Sequence, residues 1–308
     1  MVSGFLGTVI AVERAVAINR RWMYLGPLCT GLGSLALIAG VGGMTGPLLF
    51  TLGSLGLGLV FVYIVRAHPA LFSITMAVGA WLWLAGNVLW LAGWPVYRTA
   101  YWWAGFLALT IAGERLELNR VLRLTRPIQM AFAAAAGLFL AGLVVLAFNH
   151  TAGARLAGLG MAALAAWLLW YDIARFTVKK TGLTRFIAVC LLAGYVWLAI
   201  GGLLAVAFGG VTAGPYYDAI LHSLFVGFVM SMIFGHAPII FPAVAGRAIP
   251  FSNQFYSHLG LLHLSLALRL AGDLAGLLPL RQWGGLLNVA AILLFVANTA
   301  RAARRSVK

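Results

Sequence analysis

Long apolar stretches alternate along this chain with short clusters of turn-forming or charged residues. The apolar runs fall near residues 2–19, 23–43, 46–65, 70–93, 97–118, 128–148, 153–174, 185–209, 216–240, 253–275 and 283–303. A bilayer core is crossed by about 20 residues of α-helix, so the pattern predicts about eleven transmembrane spans. The breaks are short, as at Gly42-Gly43, Trp94-Pro95 and Gly209-Gly210, and leave no room for an inserted soluble domain. The expected fold is an all-α, polytopic transmembrane bundle in which residues 1–308 form a single integral membrane domain.

The runs also resemble one another. Residues 4–14 read GFLGTVIAVER and residues 105–115 read GFLALTIAGER, identical at seven of eleven positions, including a closing Glu-Arg pair. A third copy, GFVMSMIFGHA at 227–237, keeps the Gly-Phe and the Ile and puts His236 where the others have Glu. The spacing predicts three arcs of four helices: arc 1 over 1–93, arc 2 in the 97–209 region and arc 3 in the 185–308 region. In that register the first run is the second helix of its arc. The expectation is therefore a native protein of twelve spans whose first helix lies upstream of Met1.

Composition agrees with the pattern. Hydrophobic residues make up 63% and charged residues 9%, whereas a soluble domain carries about 25% charge. The net charge of +15 follows topology: seventeen of the 21 basic residues, among them Arg20, Arg66, Arg120, Lys179, Arg247, Arg301 and Lys308, lie at the ends following odd-numbered runs. The positive-inside rule makes that side, and the C-terminus, cytoplasmic, with Met1 outside. The basic residues form no basic-aromatic stretch, so the lipid bilayer and further membrane subunits are the expected partners, and nucleic acid is not. Cys29 and Cys190 sit singly in apolar runs and read as small core residues.

Ionisable groups inside spans are costly and mark candidate chemistry. The ninth run places His222 and His236 on one helix, fourteen residues apart; that is about 21 Å along an α-helix and about 40° around it. His258 and His263 follow in the tenth run. Neutral imidazole ligates both haem iron and copper, so all four are candidate cofactor and metal ligands. Glu13 and Glu114 occupy the place of His236 in the other copies and, with Arg14 and Arg115, form either a proton relay or structural ion pairs. Asp218 stands at a helix start, Asp273 has i,i+4 spacing to Arg269, and Asp172 precedes a basic loop; all three read as structural. Trp81, Trp83 and Trp90 read as packing, with a planar cofactor as the alternative. No P-loop, GxSxG, CxxCH or HExxH motif is present.

One segment carries a family resemblance. HSLFVG at 222–227, followed by FVMSMI and a turn ending in Gly246-Arg247, resembles the late His-x-Leu-x-Val-Gly segment of the NnrS family. The three-arc layout is similar, more distantly, to the catalytic subunit of heme-copper oxidases. The resemblance implies a haem- and copper-containing protein of the bacterial inner membrane linked to the nitric oxide response, with b-type haem and/or copper bound and His222 as the best-matched ligand. The adjacent histidine pair that binds copper in the oxidases is absent, which argues against oxygen reduction; whether the chain is an enzyme at all stays open. The alternatives are a proton- or ion-coupled transporter using Glu13, Glu114 and the histidines, and a structural subunit of a membrane complex.

Overall fold

A computed structural model describes residues 2–305, and within them the chain is all helix and turn, with no strand. Met1 and Lys308, which the sequence places outside and in the cytoplasm, lie outside the described residues. Every apolar run folds as helix. The helices are α1 (Val2–Ile18), α2 (Leu25–Ile38), α3 (Thr45–Ala67), α4 (Leu71–Leu91), α5 (Val96–Leu118), α6 (Arg126–Phe148), α7 (His150–Tyr171), a one-turn α8 (Ala174–Thr177), α9 (Gly182–Phe208), α10 (Pro215–His222), α11 (Met230–Ala245), α12 (Phe255–Ala275) and α13 (Leu278–Arg305). A π-helical segment, Ser223–Val229, joins α10 to α11 without a break.

Among the described residues seven helical segments are long and apolar enough to cross a membrane: α3, α4, α6, α7, α9, the α10–α11 rod and α13. The other four are shorter or more polar. Seventeen residues form α1 and fourteen form α2; α5 carries Arg98, Glu114, Arg115 and Glu117, and α12 carries Arg269 and Asp273. The chain is thus a membrane-type helical protein with seven clear spans, and the reading of eleven goes beyond what length and apolarity establish.

The helices form two compact units, Met1–Arg123 and Leu124–Lys308. The division falls within the stretch read as the second arc, because α5 packs on α4 and returns to α1.

In the first unit consecutive helices pack as neighbours. Lipid tails are as apolar as leucine, so close backbone approach at small residues holds such helices together. Gly26 of α2 meets Gly53 and Gly56 of α3, and a Cβ on Gly53 would lie 2.8 Å from the Gly26 carbonyl oxygen. Gly4 and Gly7 of α1 make room for the rings of Phe50 and Trp83. Trp83 is fully buried and stacks on Phe106 at 4.7 Å, which makes it a packing residue; Trp81 is 40% exposed. Helix α5 is buried on every side from Ala104 to Gly113.

In the second unit α6 and α7 form a hairpin in which Gly142 meets Ala157, Gly153 meets Leu146 and Gly160 meets Phe139. Helix α9 packs on α7 and then on the α10–α11 rod, and α12 and α13 close the unit. Phe186, Phe234, Phe255 and Phe295, from α9, α11, α12 and α13, share one apolar core with Cys190. Asp172 is fully buried after α7; its Oδ1 accepts from the Ala174 amide at 2.6 Å and its Oδ2 from the Tyr195 hydroxyl at 2.9 Å. It therefore starts α8 and ties it to α9.

Candidate functional site

The chemistry of the second unit is concentrated on the α10–α11 rod and on α12. The π-helical turn between His222 and His236 winds less per residue than an α-helix. The angle of about 40° expected from fourteen α-helical residues therefore does not carry across it. Gly227, inside the π segment, is what admits Trp197 of α9: a Cβ there would lie 2.4 Å from the indole Cγ. Two prolines, Pro238 and Pro242, lie farther along the rod inside α11, where each removes a backbone donor from the ladder.

The four histidines fall into two pairs by hydrogen-bonding state. His222 Nδ1 lies 2.9 Å from the Asp218 carbonyl oxygen and 3.2 Å from Asp218 Oδ1. His236 Nδ1 lies 2.8 Å from the Met232 carbonyl oxygen. Carbonyl oxygens only accept, so each Nδ1 is a protonated nitrogen. That is the state in which a histidine ligates iron, zinc or copper, with the second nitrogen oriented by a carbonyl or carboxylate.

His258 and His263 make their Nδ1 contacts to side chains instead. The Trp197 indole N–H donates to His263 Nδ1 at 2.9 Å, with the two rings nearly parallel at 17°. Asn298 Nδ2 lies 3.2 Å from His258 Nδ1 and donates also to the Gln254 carbonyl and Ser257 Oγ, which identifies it as the amide nitrogen. In His263, therefore, Nδ1 accepts and Nε2 carries the proton. Both Nε2 atoms are buried without a hydrogen-bond partner among the described residues. His258 is further enclosed by Phe234 at 4.8 Å, Phe295 at 5.4 Å, Phe255 at 5.6 Å and Phe186 at 6.1 Å. Of the four sequence candidates, His222 and His236 are thus bonded through Nδ1 to carbonyls of their own helix, and His258 and His263 contact side chains of other helices.

Around His222 the structure gathers charges that the sequence reading kept apart. Arg269 of α12 holds Asp218 through Nε at 3.0 Å and Nη2 at 2.7 Å, both on Oδ2. Arg281 of α13 lies 3.6 Å from the same oxygen and 2.9 Å from Asp273 Oδ1. The partner of Arg269 is thus Asp218 on another helix rather than Asp273 on its own. The arginines reach this position because Gly284 meets the Arg269 backbone and Gly272 meets the Arg281 backbone. Among the described residues no group of three or more His, Cys, Asp or Glu side chains is placed to hold a metal ion.

In the first unit Arg14 Nη2 lies 3.2 Å from Glu114 Oε1, joining α1 to α5. Arg14 also lies over the Phe61 ring at 5.9 Å and 3.8 Å from Met76 Sδ. Neighbouring residues on a helix do not face each other, and Arg14 of the first Glu-Arg pair joins Glu114 of the second across helices. Arg115 is buried, and it and Glu13 also have interaction partners.

Over residues 1–304 the chain matches the family described as Domain of unknown function (DUF8744). The chain belongs to the DUF8744 family. The match runs from the first helix of the DUF8744 chain to the last turn of α13, so it takes in both units and every histidine considered above. No curated protein and no solved structure matches the chain.

Proposed function

We propose that this DUF8744 chain is a haem-binding membrane protein in which His222 and His236 supply axial nitrogen through Nε2. The observation that carries this reading is the state of the two rings, each giving its Nδ1–H to a backbone carbonyl, so that the neutral ring has its lone pair on Nε2. The absence of a CxxCH motif from the sequence favours a b-type haem held without thioether bonds. Copper is the weaker choice of cofactor, since softer multi-ligand sites are what select it and no three-ligand group is assembled among the described residues. When bound, haem would supply an iron with an exchangeable position for a diatomic gas. The chain's own residues orient the donor imidazoles through their Nδ1 contacts. His222 opens the HSLFVG run that resembles the NnrS segment, which makes the nitric oxide response of the bacterial inner membrane the setting we favour.

The same reading takes all eleven long helices as spans in three arcs, with the C-terminus cytoplasmic. The polar helices α1 and α5 then share an ion pair, and the burial of α5 from Ala104 to Gly113 supports a place shielded from lipid. The repeat has a local echo: Thr8 donates to the Gly4 carbonyl at 2.8 Å, and Ser231, at the equivalent position of the third copy, bonds the Gly227 carbonyl. A proton- or ion-coupled transporter is the second reading, favoured by the Arg14–Glu114 pair and buried Arg115, which haem ligation does not use.

The deciding experiment is an optical spectrum with iron and copper analysis of the purified full chain, produced with haem available. A Soret band that is lost in His222→Ala or His236→Ala supports the haem reading. Colourless, iron-free protein that moves a solute across vesicle membranes supports the transporter instead.

A further inference from the structure

Asp218 reads from sequence as an acid at a helix start. In three dimensions it does more. Its Oδ1 lies 3.2 Å from His222 Nδ1, the nitrogen opposite the one available for ligation. Its Oδ2 is held by Arg269 at 2.7 Å and approached by Arg281 at 3.6 Å. Arg281 in turn is divided between Asp218 and Asp273. Three helices, α10, α12 and α13, thus converge on one carboxylate, and that carboxylate contacts the back of a candidate ligand.

We propose that Asp218 is the positioning residue of His222, and that its carboxylate, restrained by Arg269 and Arg281, sets how strongly this imidazole donates to a bound haem iron. The inference rests on the haem reading above. Two acceptors share the His222 Nδ1–H. The main-chain carbonyl, at 2.9 Å, fixes the tautomer and cannot be removed by mutation. The carboxylate adds a charged acceptor, which draws the Nδ1 proton toward itself and raises electron density at Nε2. The arginines work against this by drawing charge from the carboxylate. The site is therefore a graded chain of bonds, Arg281 and Arg269 to Asp218, Asp218 to His222, and His222 to iron, in which no bond breaks and no proton changes owner.

The arrangement separates haem retention from haem tuning, which makes it testable. In Asp218→Asn the carbonyl still orients His222, so the haem content should equal that of the wild type. Loss of the charged acceptor should lower the iron–imidazole stretching frequency of the ferrous protein in resonance Raman spectra and move its midpoint potential to more positive values. Arg281→Gln should move both in the opposite direction, since it frees carboxylate charge, while leaving Arg269 in place. Wild-type frequency and potential in haem-loaded Asp218→Asn would overturn the positioning role and leave the haem reading standing. If Asp218→Asn fails to fold because Arg269 loses its partner, unchanged values in Arg281→Gln overturn the role equally. A wild-type chain that takes up no haem overturns the reading on which the inference rests.

Discussion

Arg14 of α1 pairs with Glu114 of α5 at 3.2 Å, so that the arginine of the first sequence copy meets the glutamate of the second. Both side chains are largely withdrawn from the surface, at 18% and 28% exposure. A charge-assisted bond in such a place contributes about 1–3 kcal/mol. Thermal unfolding in detergent should show that Arg14→Gln and Glu114→Gln each destabilise the chain, while the double variant costs less than the sum of the two. Additive losses would show that the two side chains do not interact.

Substitution of Gly227 tests the π-helical turn. A Cβ 2.4 Å from Trp197 Cγ forces the indole away, and overpacking of this kind costs about 1–3 kcal/mol. Gly227→Val should lower thermal stability and alter Trp197 fluorescence, because the bond from Trp197 to His263 is strained with it. Gly137, whose Cβ position has nothing within 4 Å, provides the control: Gly137→Ala should leave both properties close to wild type.

His258 should behave as an aromatic core residue. Phenylalanine keeps an aromatic ring and removes a buried Nε2 that has no partner among the described residues, but it is the larger side chain, so His258→Phe should cost at most about 1–3 kcal/mol and leave any haem in place. His258→Ala leaves a cavity among four phenylalanines and should cost about 3–5 kcal/mol, as large-to-small core changes do. Loss of haem from a well-folded His258→Phe variant would return His258 to the list of ligands.

The orientation proposed from the distribution of Lys and Arg can be tested by labelling. With Cys29 and Cys190 replaced, a cysteine introduced at Arg247 should be labelled from the cytoplasmic side, and one at Leu277 from the opposite side. Labelling of both from one side contradicts the eleven-span reading, since α12 would then fail to cross.

Much of the fold is legible in the amino-acid sequence because apolar runs of about 20 residues and their Gly, Pro and Arg boundaries act locally. The helices α3, α4 and α6 begin and end within a few residues of those boundaries. Other features depend on what comes alongside. The partner of Arg14 cannot be read from GFLGTVIAVER, because the adjacent Glu13 points elsewhere on the helix and the true partner is a hundred residues away. Arg269 has a well-spaced Asp273 on its own helix, yet bonds Asp218 because Gly284 brings α13 against it and the rod presents the carboxylate. The π segment left no periodic signal among apolar residues, so α-helical spacing misjudged the angle between His222 and His236. The surroundings of His263 and His258 are least legible of all: they are set by Trp197 and Asn298, which stand on other helices.

The most direct measurement is the absorption spectrum of the purified full chain and of its four histidine variants. Haem ligation by His222 and His236 predicts a Soret band in the wild type that is lost or shifted in His222→Ala and His236→Ala and kept in His258→Phe and His263→Phe. A wild type without a Soret band when haem is supplied, or a band untouched by both alanine variants, would contradict it.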